Sequence, residues 1–545
     1  MSKNRVFELE RPDNEPVLDY APGSEEKKEL KAEIARLKEQ EQAEIPLIIG
    51  GEEIKTGDVE EIRCPHDHDQ LLARYHKAGP EEAEKAIEAA LAAREKWTGM
   101  SWEDRVAIFE RAASLLSGPW RATINASTML GQSKNPFQAE IDSACELIDF
   151  LRFNNYFLSE LYSNQPKSTD TEINKMEYRP LEGFVFAVSP FNFTSIGGNL
   201  PGAPAVCGNV ALWKPASSAV YSNYYYFKLL QEAGLPKGVI NFIPGRGREI
   251  GPVILGHEAL AGVHFTGSTS TFRSIWQEVG KNIEEYNDYP RLVGETGGKD
   301  FVIAHESADS KELTAALIRG AYEYQGQKCS AISRAYLPEN LWRKMKNELL
   351  EQVVDLSMGS IDDFTNFINA VIDKDAFDKI VSYIEHAKEA DSAEIICGGG
   401  YDDSEGYFIE PTIVLAEDPK YKSMCEEIFG PVLTIFIYGE DEYEKTLELC
   451  DETSPYGLTG AVFARDRDAI ELAREKLTYA AGNFYINDKP TGAVVGRQPF
   501  GGARASGTND KAGSRWNLMR WLSPRTIKEN LVPPKDYKYP FLQEE

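Results

Sequence analysis

Short apolar segments that alternate with helical segments constrain this sequence more than any other feature. From about residue 181 these segments are FVFAVSP, NVALWKP, GVINFIPG, AGVHFTG and DFVIAH. Such an alternation predicts an α/β fold, with a parallel sheet and helices on both of its faces. Ligands of these sheets bind beyond the carboxyl ends of the strands, where the loops are SPFNF, WKPA, IPGRG and FTGST. The sequence therefore predicts a ligand site at that edge.

The part of the chain before this alternation reads as an irregular arm followed by helices. Prolines in residues 1–23 exclude a long helix there. Ser24 is a favoured N-cap residue and predicts the start of a helix. The pair Gly50-Gly51 predicts a hairpin turn, and residues 80–160 have a helical pattern.

A second alternation of strands and helices, from about residue 311 to 510, predicts a second α/β domain. Between the helices and the first strand, residues 168–180 read STDTEINKMEYRP and alternate in polarity. This pattern predicts one arm of a β-ribbon that pairs between subunits.

The composition limits the classes of function. The chain has 545 residues, with 59 Lys and Arg against 87 Asp and Glu, and a net charge of −28. Its length predicts two or three compact units. Because phosphate binding needs clustered Lys and Arg, the acidic balance argues against nucleic acid and anionic membranes as partners. A small molecule is the expected partner.

Cysteine usage and the N-terminal sequence indicate the compartment. The seven cysteines include no C-x-x-C pair, so we expect neither a disulfide scaffold nor a structural zinc site. No run of about 18 apolar residues predicts a membrane span, and no secretory or transit segment is visible. We expect a soluble enzyme of a reducing compartment, with the cytoplasm preferred; a mitochondrial matrix would require a targeting segment.

Two local patterns suggest ligand sites but do so weakly. The stretch from Gly245 to Gly251 is similar to a dinucleotide fingerprint, but it has three residues where G-x-G-x-x-G has two. A plain turn is an equal alternative there. The run HDHD at His66–Asp69 contains metal-ligand residue types. Adjacent loop residues seldom converge on one ion, so we predict a solvent-exposed turn and no metal.

One cysteine and one glutamate are candidate catalytic residues. Cys329 lies in the polar turn GQKCSA beside Lys328, an environment that can stabilise a thiolate. Glu295 ends a short strand before Thr-Gly-Gly, at a strand end where general bases are often placed. From local context alone, a structural cysteine and an ordinary loop carboxylate stay open as alternatives.

Seven motifs, taken together, are far more specific. SPFNFTS, LWKPA, FTGST, GETGGKD, GQKCSA, EEIFGPV and QPFGG occur in the order and spacing typical of the aldehyde dehydrogenase superfamily, which the chain resembles from about residue 45 to 530. VLDYAPGS near the start and NDKPTGAVVGRQPFGGARASGTND near the end resemble the members that oxidise L-glutamate 5-semialdehyde, a step of proline degradation.

The resemblance implies an aldehyde dehydrogenase-like α/β fold in three parts. A doubly wound NAD-binding domain would comprise residues 1–160 and 181–295, and an α/β catalytic domain residues 296–510. A β-ribbon and tail, residues 161–180 and 511–545, would join two subunits by extending a sheet, giving a homodimer or a larger homo-oligomer.

The resemblance also implies the catalytic roles, none of which involves a metal. Cys329 would attack the aldehyde and form a thiohemiacetal and then a thioester. The side-chain amide of Asn192 and the backbone N–H of Cys329 would stabilise the negative oxygen. Glu295 would activate the water that releases the carboxylic acid.

NAD is the implied cofactor; NADP stays open, because Ser217 is small and neutral, whereas a carboxylate there would repel a 2′-phosphate. Lys214 would bind the adenosine ribose, and Glu427 the nicotinamide ribose. A helix N-terminus after Gly267 would accept a pyrophosphate oxygen. The expected cofactor-binding residues are Ser189, Pro190, Phe191, Lys214, Gly267, Ser268, Thr269, Ser270, Thr271, Glu427 and Phe429.

For the substrate, the resemblance implies a site with two ends. The carboxylate of glutamate semialdehyde would bind backbone amides of Thr491-Gly492-Ala493, although Ala493 lacks the hydroxyl that some members have there. Glu146 would meet the ammonium group. The expected substrate-binding residues are Glu146, Phe193, Ser330, Gly492, Ala493 and Phe500. Another semialdehyde or an aliphatic aldehyde is the alternative substrate.

Overall fold

The computed structural model describes residues 9–40 and 43–543. Residues 1–8 of the predicted arm, residues 41–42 and residues 544–545 of the predicted tail lie outside the described residues. Two seven-stranded sheets with helices packed against them form the frame of the molecule. They confirm the predicted α/β fold.

Helices dominate the chain before the first sheet and then alternate with strands. A π-helical segment, Glu140–Cys145, joins the fifth helix to the sixth. The α-helices of the described residues are α1 (Glu25–Glu39), α2 (Pro80–Gly99), α3 (Trp102–Ser117), α4 (Arg121–Gln132), α5 (Pro136–Ala139), α6 (Glu146–Ser163), α7 (Thr194–Val206), α8 (Val220–Glu232), α9 (Gly247–Leu255), α10 (Thr269–Lys281), α11 (Ser310–Tyr322), α12 (Glu339–Val354), α13 (Lys374–Glu389), α14 (Lys422–Cys425), α15 (Tyr443–Glu452), α16 (Arg467–Lys476) and α17 (Arg515–Met519).

The strands are short, as the apolar segments predict. Those of the described residues are β1 (Ala43–Ile45), β2 (Leu47–Ile49), β3 (Glu52–Ile54), β4 (Val59–Cys64), β5 (Asp67–His76), β6 (Glu172–Pro180), β7 (Phe184–Val188), β8 (Val210–Lys214), β9 (Ile240–Phe242), β10 (Leu260–Thr266), β11 (Arg291–Glu295), β12 (Asp300–Ala304), β13 (Ile332–Pro338), β14 (Ala393–Cys397), β15 (Tyr401–Asp402), β16 (Phe408–Ile409), β17 (Thr412–Ala416), β18 (Val432–Tyr438), β19 (Tyr456–Gly457), β20 (Thr459–Phe463), β21 (Asn483–Ile486), β22 (Ala503–Arg504) and β23 (Leu522–Asn530).

The first sheet has the strand order β11-β10-β7-β8-β9-β2-β3. Strands β7 to β11 pair in parallel, and β2 runs antiparallel to both β9 and β3. From β7 the chain builds outward through β8 and β9, and then returns to the other side through β10 and β11. The winding therefore reverses between β7 and β10, and a crevice for a ligand opens at the carboxyl ends of these two strands.

The second sheet has the strand order β14-β17-β18-β13-β12-β20-β21. All of its neighbouring strands pair in parallel except β14, which is antiparallel to β17. The chain enters this sheet directly from the first one, because β11 ends at Glu295 and β12 begins at Asp300. The connection between the two sheets therefore carries the GETGGKD motif.

Strands β6 and β23 form a separate antiparallel ribbon. Their pairing runs from Pro180 with Leu522 to Glu172 with Asn530. The segment of alternating polarity is thus one strand of a ribbon, whereas residues up to Ser163 belong to α6. Pairing between subunits stays a prediction, as do the limits of the predicted domains.

Local sequence signals are mostly confirmed. Ser24 caps α1, and its hydroxyl accepts an N–H from the first turn. Gly50 and Gly51, with φ of +61° and +78°, join β2 to β3 in the predicted hairpin. The exposed turn predicted at HDHD is wrong for most of its length: Asp67, His68 and Asp69 begin β5, and only Asp69 is exposed. His66 is buried, with Nδ1 3.1 Å from the Ser133 hydroxyl, because the turn packs against the end of α4.

Two further findings concern the described residues only. None of their helices is long and apolar enough to cross a membrane. Their His, Cys, Asp and Glu side chains form no group of three or more that could hold a metal ion.

Gly183, at the junction of the ribbon and β7, provides a test of the fold. Its φ is +135°, and a Cβ there would lie 2.0 Å from the carbonyl oxygen of Ala259. We expect Gly183→Ala to lower the free energy of unfolding by about 2–4 kcal/mol in denaturant titrations, because backbone strain and a steric clash add. Gly251→Ala is the control: a Cβ there has no neighbour within 4 Å, and the change should stay below about 1 kcal/mol. Equal effects of the two variants would contradict this account.

Candidate active site

The two sheets meet near Glu295 and Cys329. Glu295 is the last residue of β11 in the first sheet, and Cys329 lies in the turn before β13 of the second sheet. The connection from β11 passes directly over this turn. A Cβ on Gly298 would lie 2.1 Å from the carbonyl oxygen of Cys329. The glycine thus allows a close backbone approach, and the predicted base and nucleophile come from segments in direct contact.

The backbone before Cys329 has an unusual conformation that its surroundings hold in place. Tyr324, Gln325 and Gly326 have φ of +51°, +56° and +66°. Two of these residues are not glycine, so the conformation is strained and must be stabilised by contacts. The side-chain amide of Gln325 donates to the carbonyl oxygens of Ser133, at 3.1 Å, and Ala370, at 2.7 Å. The nucleophile therefore lies on a rigid turn.

Asn192, the predicted oxyanion donor, is attached to the same turn. It is buried, and its Nδ2 donates to the carbonyl oxygen of Gln327 at 3.0 Å. A side-chain amide has two N–H donors, so one is left for an oxygen of the substrate. The structure thus brings together the three predicted catalytic residues, Asn192, Glu295 and Cys329.

The thiol of Cys329 is disfavoured as a thiolate. Burial, followed by the charge of Glu295, raises its pKa well above the usual range. The expectation that Lys328 stabilises the thiolate is wrong in this arrangement. Its amine instead lies 3.7 Å from the carboxylates of both Asp142 and Glu323. Burial thus favours the neutral thiol over the thiolate, and the predicted attack on an aldehyde would require the loss of its proton.

Glu295 has the properties of a general base near neutral pH. Its Oε1 is buried without a hydrogen-bond partner among the described residues. Burial and the charge of Glu146 raise the pKa of Glu295 to about 8, and Lys511 opposes this increase. A carboxyl with such a pKa can take and return a proton under physiological conditions.

The crevice between β7 and β10 is lined by the predicted cofactor residues. Ser189 follows β7, and its hydroxyl accepts the indole N–H of Trp213 at 2.9 Å. Lys214 ends the neighbouring strand β8. Its amine donates to the carbonyl oxygen of Pro215 at 3.2 Å, and burial lowers its pKa to about 8. A buried amine with a single backbone acceptor has donors left for ribose hydroxyls.

Helix α10 begins beside β10 and presents its N-terminus to the same crevice. Ser268 is its N-cap, and its hydroxyl accepts the N–H of Thr271 at 3.3 Å. Ser268, Ser270 and Thr271 are exposed, and the hydroxyl of Thr269 donates to the carbonyl oxygen of Ala505 at 3.2 Å. The N–H of Gly267 donates to the carbonyl oxygen of Glu295 at 3.2 Å. An exposed helix N-terminus of this kind binds phosphate oxygens.

The opposite wall contains Glu427 and Phe429. Glu427 accepts the backbone N–H of Gly298 at 2.9 Å, and a Cβ on Gly297 would lie 2.4 Å from its Oε2. Phe429 has φ of +65°, and its ring centroid lies 5.8 Å from that of Phe191. Pro190, next to Phe191, is partly exposed on the same wall. Donors for ribose and phosphate, an acceptor for the second ribose and two aromatic rings fit a dinucleotide such as NAD.

Glu146 and Phe500 lie on the other side of Glu295. These three residues line a cavity of about 40 Å³. Glu146 accepts a short hydrogen bond from the hydroxyl of Ser195. Burial and the charge of Asp142 raise its pKa to about 8. A carboxyl that is buried with one neutral partner favours the approach of a cation.

The predicted carboxylate-binding residues Thr491-Gly492-Ala493, called the anchor loop from here on, contact Ser330, the residue after Cys329. The hydroxyls of Ser330 and Thr491 lie 2.8 Å apart. Gly492 is exposed, with φ of +90°, and Ala493 is partly exposed. The amine of Lys489 donates to the carbonyl oxygen of Thr491 at 2.9 Å and adds a positive charge to the loop.

Phe193, a predicted substrate-binding residue, packs against the buried amine of Lys134. The amine of Lys134 lies 4.6 Å from its ring centroid and 2.6 Å from the carboxylate of Asp142. Cation–π contacts of this kind hold an aromatic ring in one orientation. Phe193 is thus positioned at the start of α7, one residue after Asn192.

Sequence reasoning missed three residues that belong to the site. Lys511 lies near Glu295, Lys489 contacts the anchor loop, and Ser195 contacts Glu146. Lys511 was expected in the tail, but residues before it run beside β11: the N–H of Thr508 donates to the carbonyl oxygen of Gly294 at 2.9 Å. Ser195 and Lys489 lie close in sequence to the predicted residues Asn192 and Gly492, and this spacing was the available local signal.

Residues 54–527 match the aldehyde dehydrogenase family. The chain belongs to the aldehyde dehydrogenase family.

Several relatives in this family are similar over nearly their whole length. A mitochondrial Δ1-pyrroline-5-carboxylate dehydrogenase of Dictyostelium discoideum is 53% identical over 97% of this chain and 96% of its own length. A mitochondrial protein of that name from Homo sapiens is 49% identical, over 97% and 94%. The crystal structure of the Mycobacterium tuberculosis enzyme bound with NAD matches with a TM-score of 0.96 at 50% identity, covering 99% of this chain and 100% of that one.

Two substitutions near Glu295 should shift the pH dependence of turnover in opposite directions. A carboxyl acts as a base only when it is ionised, so with Glu295 as the predicted base turnover should rise as the pH increases through its pKa of about 8. Lys511→Met removes the charge that lowers this pKa, so the rise should move to higher pH. Glu146→Gln removes a carboxylate that increases the pKa, so the rise should move to lower pH. The measurement is the pH dependence of kcat for propanal at saturating NAD.

Lys511→Arg is the matched control, because it keeps the positive charge and should leave the profile close to that of the wild type. Shifts of the same sign in Lys511→Met and Glu146→Gln would contradict the assignment of Glu295 as the titrating base.

Proposed function

We propose that this protein is an NAD-dependent dehydrogenase of proline degradation. It oxidises L-glutamate 5-semialdehyde, which forms from 1-pyrroline-5-carboxylate, to L-glutamate. The names of the relatives and the two-ended site beside Cys329 support this substrate. The carboxylate of the substrate binds the loop Thr491–Ala493 with Ser330, and its ammonium group pairs with Glu146.

The observation that carries this proposal is the carboxyl of Glu146. It is half-buried on the cavity shared with Glu295, has one neutral hydrogen-bond partner, and is among the charges that raise the pKa of Cys329. An aldehyde without an amino group adds no charged partner for this carboxyl, whereas the ammonium group of an α-amino aldehyde stabilises its ionised form.

The chemistry follows from the three catalytic residues. The thiol of Cys329 gives its proton to the carboxylate of Glu295, which releases it to solvent; the sulfur bonds to the aldehyde carbon, and the carbonyl π bond opens to leave the oxyanion of a thiohemiacetal. The free N–H of Asn192 and the backbone N–H of Cys329 stabilise this oxygen; one such donor contributes roughly 2.7–4 kcal/mol. The rigid turn keeps both donors in place without reorganisation.

NAD, when bound, supplies the hydride acceptor for the oxidation. Ser189, Lys214, the N-terminus of α10 and Glu427 would hold it, with Pro190, Phe191 and Phe429 beside it. The oxidised acyl group is a thioester on Cys329. Glu295 takes a proton from a water molecule, the hydroxyl adds to the thioester carbon, and the carbon–sulfur bond breaks to release glutamate.

An aldehyde panel tests the substrate. We expect kcat/KM for glutamate semialdehyde to exceed that for propanal by about 100-fold or more, because two charged groups are bound. NADH formation measured spectrophotometrically reports each rate. A clear preference for propanal would establish the alternative, an aliphatic aldehyde dehydrogenase.

Two variants sharpen this test. Cys329→Ala should reduce NADH formation by at least about 10³-fold, and unchanged turnover would refute the thiohemiacetal mechanism.

Glu146→Gln should raise KM for glutamate semialdehyde about tenfold. It should leave KM for succinate semialdehyde, which has no ammonium group, within about twofold of the wild type.

A homodimer formed through the β6–β23 ribbon is also part of the proposal. The ribbon stands apart from both large sheets, and the edge strand β21 of the second sheet contains Ile486, which is exposed. An exposed ribbon and an exposed sheet edge are complementary surfaces for sheet extension. Multi-angle light scattering should give twice the chain mass of 60.9 kDa or a multiple of that value. A monomeric mass would contradict this assembly.

We keep the cytoplasm as the proposed compartment, with the mitochondrial matrix as the alternative that the names of the D. discoideum and human relatives favour. Cell fractionation followed by immunoblotting decides between them. We also propose domain limits at residues 160, 181, 295 and 510. The limit at 295 is supported by the end of β11 in the first sheet, whereas residue 160 lies within α6, and Lys511, just beyond the last limit, lies near Glu295.

A further inference from the structure

Residues 11–20 belong to the irregular segment predicted for residues 1–23, and the name arm is used for these ten residues from here on. They form an extended segment without helix or strand. Much of the arm is exposed, and nothing in the proposed chemistry uses it. Its polar groups nevertheless make hydrogen bonds to two parts of the substrate site that are more than 300 residues apart in sequence, α6 and the loop after Thr491.

The first set of contacts holds the helix that carries Glu146. Asp149 lies on α6, one turn after Glu146. Its Oδ2 accepts the side-chain amide of Asn14 at 2.8 Å, and its Oδ1 accepts the backbone N–H of Glu15 at 2.8 Å. Hydrogen bonds to a charged acceptor are stronger than neutral ones.

The arm also holds the segment just before Glu146. Glu140 begins the π-helical segment that leads into α6, and its carboxylate is fully buried. It accepts the backbone N–H of Leu18 at 2.9 Å and the hydroxyl of Tyr20 at 2.8 Å. Because a π-helical turn is less stable than an α-helical one, contacts at its start help to fix the register of Glu146.

The second set of contacts holds the chain directly after the anchor loop. The side-chain amide of Asn14 donates to the carbonyl oxygen of Val495 at 2.8 Å. Its Oδ1 accepts Nε of Arg497 at 2.7 Å. The guanidinium of Arg11 donates to the carbonyl oxygen of Gly496 at 2.7 Å.

The two parts already touch, and the arm closes the contact. A Cβ on Gly496 would lie 2.2 Å from the ring of Phe153 on α6, so the loop approaches the helix as closely as glycine permits. Val495 packs with Phe150 and Phe153 of α6. Asn14 is partly buried at this junction and hydrogen-bonds to both sides.

We propose that the arm is a positioning element of the substrate site, with Asn14 as its central residue. By joining the helix of Glu146 to the chain after Thr491–Ala493, Asn14 sets the spacing between the groups that bind the ammonium and the carboxylate of the substrate. This inference rests on the proposed function. A small change of this spacing weakens the binding of an amino-acid aldehyde and leaves simple aldehydes unaffected.

Asn14→Ala tests the proposal in the full-length enzyme. KM for glutamate semialdehyde should rise about tenfold, which corresponds to about 1.4 kcal/mol, through the loss of the hydrogen bonds that Asn14 makes. The values of kcat, KM for NAD and KM for propanal should stay within about twofold of the wild type. Equal changes for both aldehydes, or an unchanged KM for glutamate semialdehyde, would overturn it.

Asp13→Ala is the matched control, because Asp13 is the exposed neighbour of Asn14 and should leave all constants unchanged. Arg497→Met removes the donor to Asn14 from the loop side at an exposed position, so it tests the same contact if Asn14→Ala does not fold. It should raise KM for glutamate semialdehyde without changing that for propanal. An equal rise for both would overturn the proposal.

A double-mutant cycle with Glu146→Gln separates positioning from general stability. If Asn14 acts partly through Glu146, the combined rise in KM should be smaller than the product of the two single effects. A fully multiplicative result would count against the proposal. The wild-type preference between glutamate semialdehyde and propanal tests the proposed function itself, so the two can fail independently.

Discussion

The active site depends on a backbone contact between the connection of the two sheets and the turn of the nucleophile. Gly298 passes so close to the carbonyl oxygen of Cys329 that a Cβ would lie 2.1 Å from it. Asn192 and Gln325 hold the same turn through their side-chain amides. These contacts fix the thiol, the base and the oxyanion donor relative to one another without relying on flexible side chains. Reaction rates are sensitive to such distances, so the strained turn is a condition for catalysis.

The same closeness places several carboxyls around one thiol. Glu295 and Glu146 both have pKa values raised to about 8, and both raise the pKa of Cys329. Because both pKa values lie close to neutral pH, either carboxyl can take up a proton, and the neutral form repels a developing thiolate less. A substrate ammonium beside Glu146 favours its ionised form. Binding of a substrate ammonium group would therefore change the charge of Glu146, one of the groups that affect the pKa of Cys329.

The sequence was sufficient for the fold class and for a prediction of the main site residues, because each motif is local. Cys329, Glu295 and Asn192 could be proposed from GQKCSA, GETGGKD and SPFNF before any geometry was known. The direction of a side chain was not predictable in this way. Lys328 adjoins Cys329 in sequence, yet its amine lies near Asp142 and Glu323.

Contacts between distant segments were missed for the same reason. Lys511 approaches Glu295 only because residues 505–508 run along β11, and Asn14 joins α6 to a loop far along the chain. An irregular arm with prolines carries no periodic pattern, so its hydrogen bonds have no signature in sequence. The π-helical segment before Glu146 is likewise set by its packing and not by propensity.

The local charges also explain how a strongly acidic protein binds an anionic substrate and cofactor. The net charge is −28, but Lys134 and Lys328 are buried behind the site, and Lys489 and Lys511 are partly buried at its edge. Buried charges are screened by salt less than exposed ones, so these amines act over the short distances of the site while the surface charge is damped. Each of them is near a carboxyl, which limits the cost of burial. The lysines at the site therefore act over short distances beside carboxyls, whereas the net negative charge of the chain acts over long distances and is screened by salt.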